Sequence, residues 1–357
     1  HVPLTWPTPR AGQATRVDSE VLWVELGASS GEVAIGAWVI VEGLVAERRR
    51  GRRVAAPRDR ADPDQAVVLI GAGTDDRGLS ETQEGSVEDA CLRVLHQLGR
   101  PVLLVDHKSA TPARILAALG RAPFGIICTQ FAAVKPAWSE QFAAWRGAGI
   151  PLAVHGPPDR HPGHDCVYSD HEGGAYALAR MLIAAGRRRI QPVWHAPERP
   201  WWLRQREAGL ARALAEAGLP CLPAVNPPEE PAMSPLPDAD LLQRRAQAYL
   251  GFIYGPLSAA DPPDVLMAIN DINAAPVLAA CRMLGRDVHA AVAVAGFDGT
   301  WEVDWQWRQL AASPFATVRK GNHAVGRALA ETLLERVAKP DGARIVRCMP
   351  TEAVRPG

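Results

Sequence analysis

The chain has 357 residues, 47% of them apolar and 22% charged, with equal numbers of basic and acidic side chains. That length exceeds one ordinary core and predicts two or three domains, and the composition excludes a disordered chain. A net charge of zero leaves nucleic-acid contact to a local patch, and no apolar run is long enough to span a membrane. Residues 1–65 come first and differ from the rest. Prolines and glycines frame a short helical zone at 18–43, followed by "AERRRGRRVAAPRDR". Seven arginines fall between residues 48 and 60, with Glu47 and Asp59 as the neighbouring acids. Gly51 stands where a hairpin tip would lie, and residues 57–65 read as a linker.

From residue 66 short apolar runs alternate with amphipathic stretches. The runs predict strands at 66–71, 101–106, 124–129, 150–155, 166–170, 189–194, 264–269 and 290–298. The stretches between most of them predict helices at 84–98, 137–147, 172–185, 204–217, 238–250, 272–284 and 322–337. Such alternation implies an α/β fold with parallel sheets covered on both faces. Open sheets of this kind bind ligands beyond the carboxyl ends of their strands. The run "VLMAIN" delivers Asn270 and Asp271 to such an end. Gly218 and Pro220 close the helix at 204–217, and the proline-rich stretch 222–238 reads as a loop. Six cysteines are scattered without Cys-x-x-Cys pairs, which predicts buried, reduced thiols in a cytoplasmic protein. "HPGH" at 161–164 has no second ligand pair, so neither a metal nor another cofactor is expected.

Four stretches carry a family resemblance. "YSDHEGGAYALARMLIAAGRRRI" (168–190) has a Gly-Gly helix start, and "RQREAGLARALAEAG" (204–218) has Arg-x-x-Gly. "PDVLMAINDINAAPVLAACRMLGRDVHAAVAVAGFDG" (263–299) has Asn-Asp and Gly-Phe-Asp, and "FATVRKGNHAVGRALAETLLERV" (315–337) follows. On these motifs residues 66–357 resemble the effector-binding region of the lactose-repressor (LacI/GalR) family, a type I periplasmic-binding-protein fold. The resemblance implies two α/β lobes joined by three crossing segments, near 165–168, 296–299 and 318–322. Lobe 1 would take about 66–165 and 299–320, and lobe 2 about 166–298 and 321–350, with a small-molecule effector held between them.

By motif position the resemblance makes Arg206, Asn270 and Asp298 effector contacts. The chemistry fits, because a guanidinium offers a planar fork of donors and a carboxylate accepts two hydroxyls. The competing reading is that Arg206 caps a helix and Asp298 pairs with it inside the protein. Asp271 reads as the N-cap of the helix that follows. Where the family has an aspartate after the strand "IPLAV", this sequence has His155, which puts a hydroxyl clamp there in doubt. Asp75 and Asp76, in the first-lobe loop "GAGTDDRGLSE", are further candidates, with a solvated turn as the alternative. Of the eleven tryptophans, Trp194, Trp201, Trp202, Trp301, Trp305 and Trp307 gather near predicted strand ends. Indole faces beside Arg and Asp suit a sugar ring, and Trp301 is the favoured contact; core packing is the alternative for the others.

Residues 15–55 resemble an incomplete GntR-type winged helix within a domain spanning 1–56. "ELGASSGEVAIGAW" matches a helix-turn-helix and "GLVAERRRGRRV" a basic wing. The resemblance makes Ser29, Ser30, Arg48, Arg49, Arg50, Arg52 and Arg53 the DNA contacts. Two departures weaken it: the first helix is absent or cut away before residue 15, and the recognition helix carries Glu32 in place of a basic residue. A degenerate domain kept for dimerisation is the alternative. Together these features predict a homodimeric, sugar-responsive transcription regulator that binds operator DNA. A solute-binding protein of a transport system is the runner-up. No nucleophile elbow, phosphate loop or zinc motif supports an enzyme.

Overall fold

A computed structural model of the chain describes residues 23–24, 66–71, 83–106, 123–129, 136–194, 199–227, 239–300 and 313–356. The described residues form an α/β fold of two compact units, divided after Tyr168, Asn322 and Arg347. In the first unit, β2 (Val67–Gly71) runs parallel to β3 (Val102–Asp106) on one side and to β4 (Gly125–Cys128) on the other. Strands β5 (Leu152–His155) and β6 (Asp165–Ser169) continue the parallel sheet. β11 (Val346–Met349) follows β6, and the two-residue β1 (Trp23–Val24) pairs antiparallel with β3 at the other edge.

The apolar runs become strands because both sheet faces are covered, so continuous apolar sequence can be buried. Val68, Ile70, Leu103 and Ile126 pack on Phe142 and Trp145 of α2 (Pro136–Gly147). α1 (Gln83–Gln97) and α7 (Asn322–Ala338) pack so closely that a Cβ on Gly326 would sit 2.1 Å from the Val87 carbonyl oxygen.

In the second unit β7 (Ile190–Val193), β8 (Val265–Ala268) and β9 (Ala293–Ala295) form a parallel sheet with β8 in the middle. Period-two alternation divides the side chains of β8. Val265 and Met267 pack with Leu203, Leu210 and Leu214 of α4 (Trp201–Glu216) and with Leu178 and Leu182 of α3 (His171–Ala184). Leu266 and Ala268 pack with Tyr249 and Ile253 of α5 (Ala239–Leu257) and with Val277 and Leu278 of α6 (Asp271–Met283). α4 ends as predicted: Gly218 takes φ +64°, and the Leu219 N–H donates to the Leu214 carbonyl oxygen at 2.9 Å. The part of the proline-rich loop that is described adds Val225 beside Val193 of β7.

The expected division into lobes needs correction. The strand β10 (Thr317–Arg319), expected in the first lobe, belongs to the second unit, and α7, expected in the second lobe, belongs to the first. The reason is pairing. Ala295 bridges Ala316, Asp298 bridges Arg319, and β10 pairs antiparallel with β12 (Glu352–Val354). The chain therefore stays in the second unit past Gly299, and the third passage falls between Arg347 and Cys348 instead of at 296–299. The winged-helix resemblance expects helix at Trp23–Val24, where the structure has strand β1. Its proposed DNA contacts, Ser29, Ser30, Arg48, Arg49, Arg50, Arg52 and Arg53, lie outside the described residues. Two thiols also differ from expectation: Cys221 and Cys348 are exposed, while Cys91, Cys128, Cys166 and Cys281 are buried. No described helix is long and apolar enough to cross a membrane.

The "HPGH" turn packs against Phe142, with His161 and His164 both buried. Burial, aided by His164 and nearby guanidinium groups, lowers the His161 pKa from 6.5 to about 4. A folded-state pKa below the unfolded one means that the unfolded chain takes the proton first. Stability is therefore full above pH 6.5 and declines as pH falls towards 4, by about 3 kcal/mol from this residue. Urea midpoints are expected to be flat above that window and to fall within it. His161→Phe is expected to remove much of the fall.

Candidate ligand site in the second unit

The carboxyl ends of β8 and β9 meet the first turns of α3 and α4. Arg206 stands on α4, in its second turn, facing the sheet. Its Nη1 donates to the carbonyl oxygen of Ile269, the residue after β8. Its Nη2 donates to Asp298 Oδ1 at 2.8 Å. Its Nε and Nη2 both lie 3.3 Å from His171 Nδ1, at the start of α3. The faces of the guanidinium are covered as well, with the Phe297 ring centroid at 3.6 Å and that of Trp202 at 4.8 Å.

The ion pair is deeply buried, both side chains being 4% exposed. Burial lowers the Arg206 pKa from its ordinary value, and the Asp298 carboxylate and then Asp271 oppose that shift. Lys320, just after β10, brings a second cation to 3.5 Å from the same Asp298 oxygen. Asp298 itself adopts φ +98°, an uncommon backbone for a residue with a Cβ. Strained residues of this kind persist where surrounding contacts over-determine them, and they cluster at ligand sites.

The Gly-Phe-Asp motif thus has a physical content. A Cβ on Gly296 would fall 2.0 Å from Asp271 Oδ1, so only glycine fits. The Phe297 ring face covers the Arg206 guanidinium, and its carbonyl oxygen accepts the Asp271 N–H at 2.9 Å. Asp298 supplies the counter-charge.

The N-cap role expected of Asp271 falls to its neighbour. Asn270, not Asp271, is the N-cap of α6: its Oδ1 accepts the Asn273 N–H at 2.9 Å and the Asn273 side-chain amide at 2.7 Å. Asp271 is the first helical residue, buried, and accepts a hydrogen bond from the Thr317 hydroxyl. An N-cap needs extended backbone, and Asn270 has it at φ −158°. Asn270 remains half-buried at the end of β8, next to Ile269. Asn270→Ala is expected to lower stability by ~1 kcal/mol, and Asn270→Asp to keep the cap. Urea midpoints of the two variants check this.

The other candidates divide three ways. His155 ends β5 in the first unit, where it is buried. Trp194 is core, and Trp201 packs edge-on to His171 with 5.2 Å between ring centroids. Asp75, Asp76, Trp301, Trp305 and Trp307 lie outside the described residues. His171, Phe297, Lys320 and the Ile269 carbonyl were not singled out by sequence. The one available signal was a polar pair, Asp170-His171, directly after a strand and before a helix. Among the described residues no group of three or more histidine, cysteine or acidic side chains is arranged to hold a metal.

This architecture is a periplasmic-binding-protein-like fold of type I, with parallel sheets. Residues 179–356 match the family model of a periplasmic-binding-protein-like domain. Many solved structures are similar, and three of them serve as examples. A regulatory protein of the LacI family from Chloroflexus aggregans is 20% identical, with 82% of this chain and 98% of that one covered and a TM-score of 0.65. A complex of the transcriptional regulator CelR with cellobiose is 20% identical, with 82% and 84% covered and a TM-score of 0.61. A LacI family transcriptional regulator from Enterococcus faecium with bound ribose is 16% identical, with 81% and 97% covered and a TM-score of 0.60. A comparison with curated proteins gives no match.

Proposed function

We propose that the chain is a ligand-responsive transcription regulator that senses a sugar-like small molecule, with the Arg206–Asp298 pair at the centre of the ligand site. The observation that carries this reading is a buried, strained carboxylate bonded to a guanidinium at the carboxyl ends of a parallel sheet. In doubly wound folds that location is where ligands bind. The groups gathered there suit a polyhydroxyl guest. Asp298 accepts hydroxyl protons, Asn270 presents an amide, and the Trp202 face offers a platform for C–H groups. Similar folds hold cellobiose and ribose, which supports a carbohydrate for this site.

In this reading residues 1–56 carry the DNA contacts, through Ser29, Ser30 and the wing arginines Arg48, Arg49, Arg50, Arg52 and Arg53. Asp75, Asp76, His155 and Trp301 complete the candidate ligand contacts. A homodimer would present two such heads to operator half-sites spaced near one helical turn. The ligand would act by binding two conformations of the protein with different affinity.

The test is binding to the DNA upstream of the protein's own operon, at several salt concentrations, with and without candidate sugars. Regulation requires sequence preference, a salt slope from the arginines and a response to one sugar. Sugar binding without any preference for that DNA would favour a solute-binding protein instead.

A further inference from the structure

We propose that His171 is a positioning residue for the ligand site: its neutral imidazole, bearing a proton on Nε2 alone, holds Arg206 in the orientation that meets Asp298. The geometry points to this directly. A guanidinium has donors and no acceptor. Two of its nitrogens, Nε and Nη2, converge on His171 Nδ1 at 3.3 Å, so that nitrogen must carry a lone pair. Elsewhere Nη1 donates to Ile269 and Nη2 to Asp298. His171 therefore supplies a side-chain acceptor on the Nε side. The ring is itself held in place. It stacks on Phe297 at 25° with 5.8 Å between centroids, lies edge-on to Trp201, and is 2% exposed. Phe297 also covers Arg206, so histidine and guanidinium share one aromatic support.

This role differs from ligand contact. His171 would act through Arg206, fixing which of its N–H groups remain available to a guest. Protonation of Nδ1 would remove the acceptor and set a second cation against the guanidinium. The charged groups around it come from several elements. They are Arg206 on α4, Asp298 after β9, Lys320 after β10, and Asp271 at the start of α6. On α3 itself, Asp170 caps the helix and Glu172 pairs with Arg212.

The experiment uses the full chain and two variants. His171→Asn keeps an acceptor at the Nδ1 position, and His171→Phe keeps the ring without it. Long-range proton–nitrogen spectra of the wild type are expected to show an unprotonated Nδ1 and a protonated Nε2. The Arg206 Nε–H is expected to exchange slowly in the wild type and in His171→Asn, and at least about tenfold faster in His171→Phe. A protonated Nδ1 at neutral pH, or equal exchange in all three proteins, would overturn the proposal. If His171→Phe does not fold, fast Arg206 Nε–H exchange in a folded His171→Asn would overturn it too.

A second arm rests on the sugar-sensing reading and uses ribose and cellobiose as probes. For whichever binds the wild type, the Kd is expected to rise about tenfold in His171→Phe and by less than about threefold in His171→Asn. Wild-type affinity is expected to weaken on acidification, and that of His171→Asn to stay flat. Equal affinity and equal pH profiles in all three would overturn the positioning role. Binding of neither sugar would count against the sugar reading, while the spectra and exchange rates would still decide the role of His171.

Discussion

Arg206→Ala is expected to destabilise the second unit by ~3–5 kcal/mol, the usual cost of removing one partner of a buried ion pair. The variant deprives Asp298 of its 2.8 Å partner and keeps Lys320 at 3.5 Å. It also strips donors from the Ile269 carbonyl oxygen and from His171 Nδ1, both interior acceptors. Phe297 and Trp202 lose the group between them, so a cavity adds to the electrostatic cost. Urea denaturation followed by tryptophan fluorescence reads the effect, since Trp201 and Trp202 adjoin the site. Asp298→Asn should cost less than Asp298→Ala, although it takes the counter-charge from the buried Arg206 and Lys320. The amide oxygen still accepts from Arg206, and asparagine is among the residues most tolerant of a positive φ. An Arg206→Ala protein as stable as the wild type would mean that the pair is neither buried nor bonded as described. Loss of ligand binding in that variant alone would not identify the pocket, because a weakened fold gives the same result.

Gly209→Ala is the second large effect, about 3 kcal/mol of destabilisation from overpacking. Gly209 is the glycine of the Arg-x-x-Gly motif on α4. A Cβ there would lie 2.1 Å from the Glu172 carbonyl oxygen and 2.9 Å from the Tyr176 nitrogen, both backbone atoms of α3. Backbone cannot rotate away as a side chain can, so the helices must part. Arg206 sits three residues earlier on α4, and the displacement would carry its guanidinium off Asp298 and His171. Gly251→Ala, on α5, makes the control. Its Cβ would meet nothing within 4 Å. Helix propensity alone then favours alanine, by up to ~1 kcal/mol. Opposite signs for the two substitutions, measured as urea midpoints, are the expected result.

Much of this fold is legible in the chain. Continuous apolar runs such as "AVVLIG" identify strands buried on both faces, and Gly218 followed by Pro220 marks the end of α4. These are local signals, and local signals survive folding when packing agrees with them. The N-cap of α6, Asn270 instead of Asp271, shows the limit of such signals. Both residues are competent caps, and only the pairing of the Asp271 N–H with the Phe297 carbonyl oxygen, 26 positions away, selects which one turns the corner. The lobe division was misread for a related reason. Motif order locates Gly-Phe-Asp, but strand pairing through Ala316 and Arg319 decides on which side the chain continues. The polar cluster itself joins residues separated by 35, 63 and 92 positions. The motifs mark Arg206 and Asp298 as partners in a site, whereas Lys320 carries no local signal of its membership and His171 only its place in a polar pair between strand and helix. Nothing in the spacing of "SDHEGG" says that its histidine faces a guanidinium.

Ligand-induced stabilisation of the wild type and of Asp298→Asn, measured side by side across a sugar panel, bears most directly on the ligand site. A ligand that binds the folded protein raises its stability by ~2.7 kcal/mol at a hundredfold excess over its Kd. At least one sugar is expected to raise the wild-type Tm and to leave that of the folded Asp298→Asn protein unmoved. An equal rise in both proteins would contradict a ligand site built on Asp298.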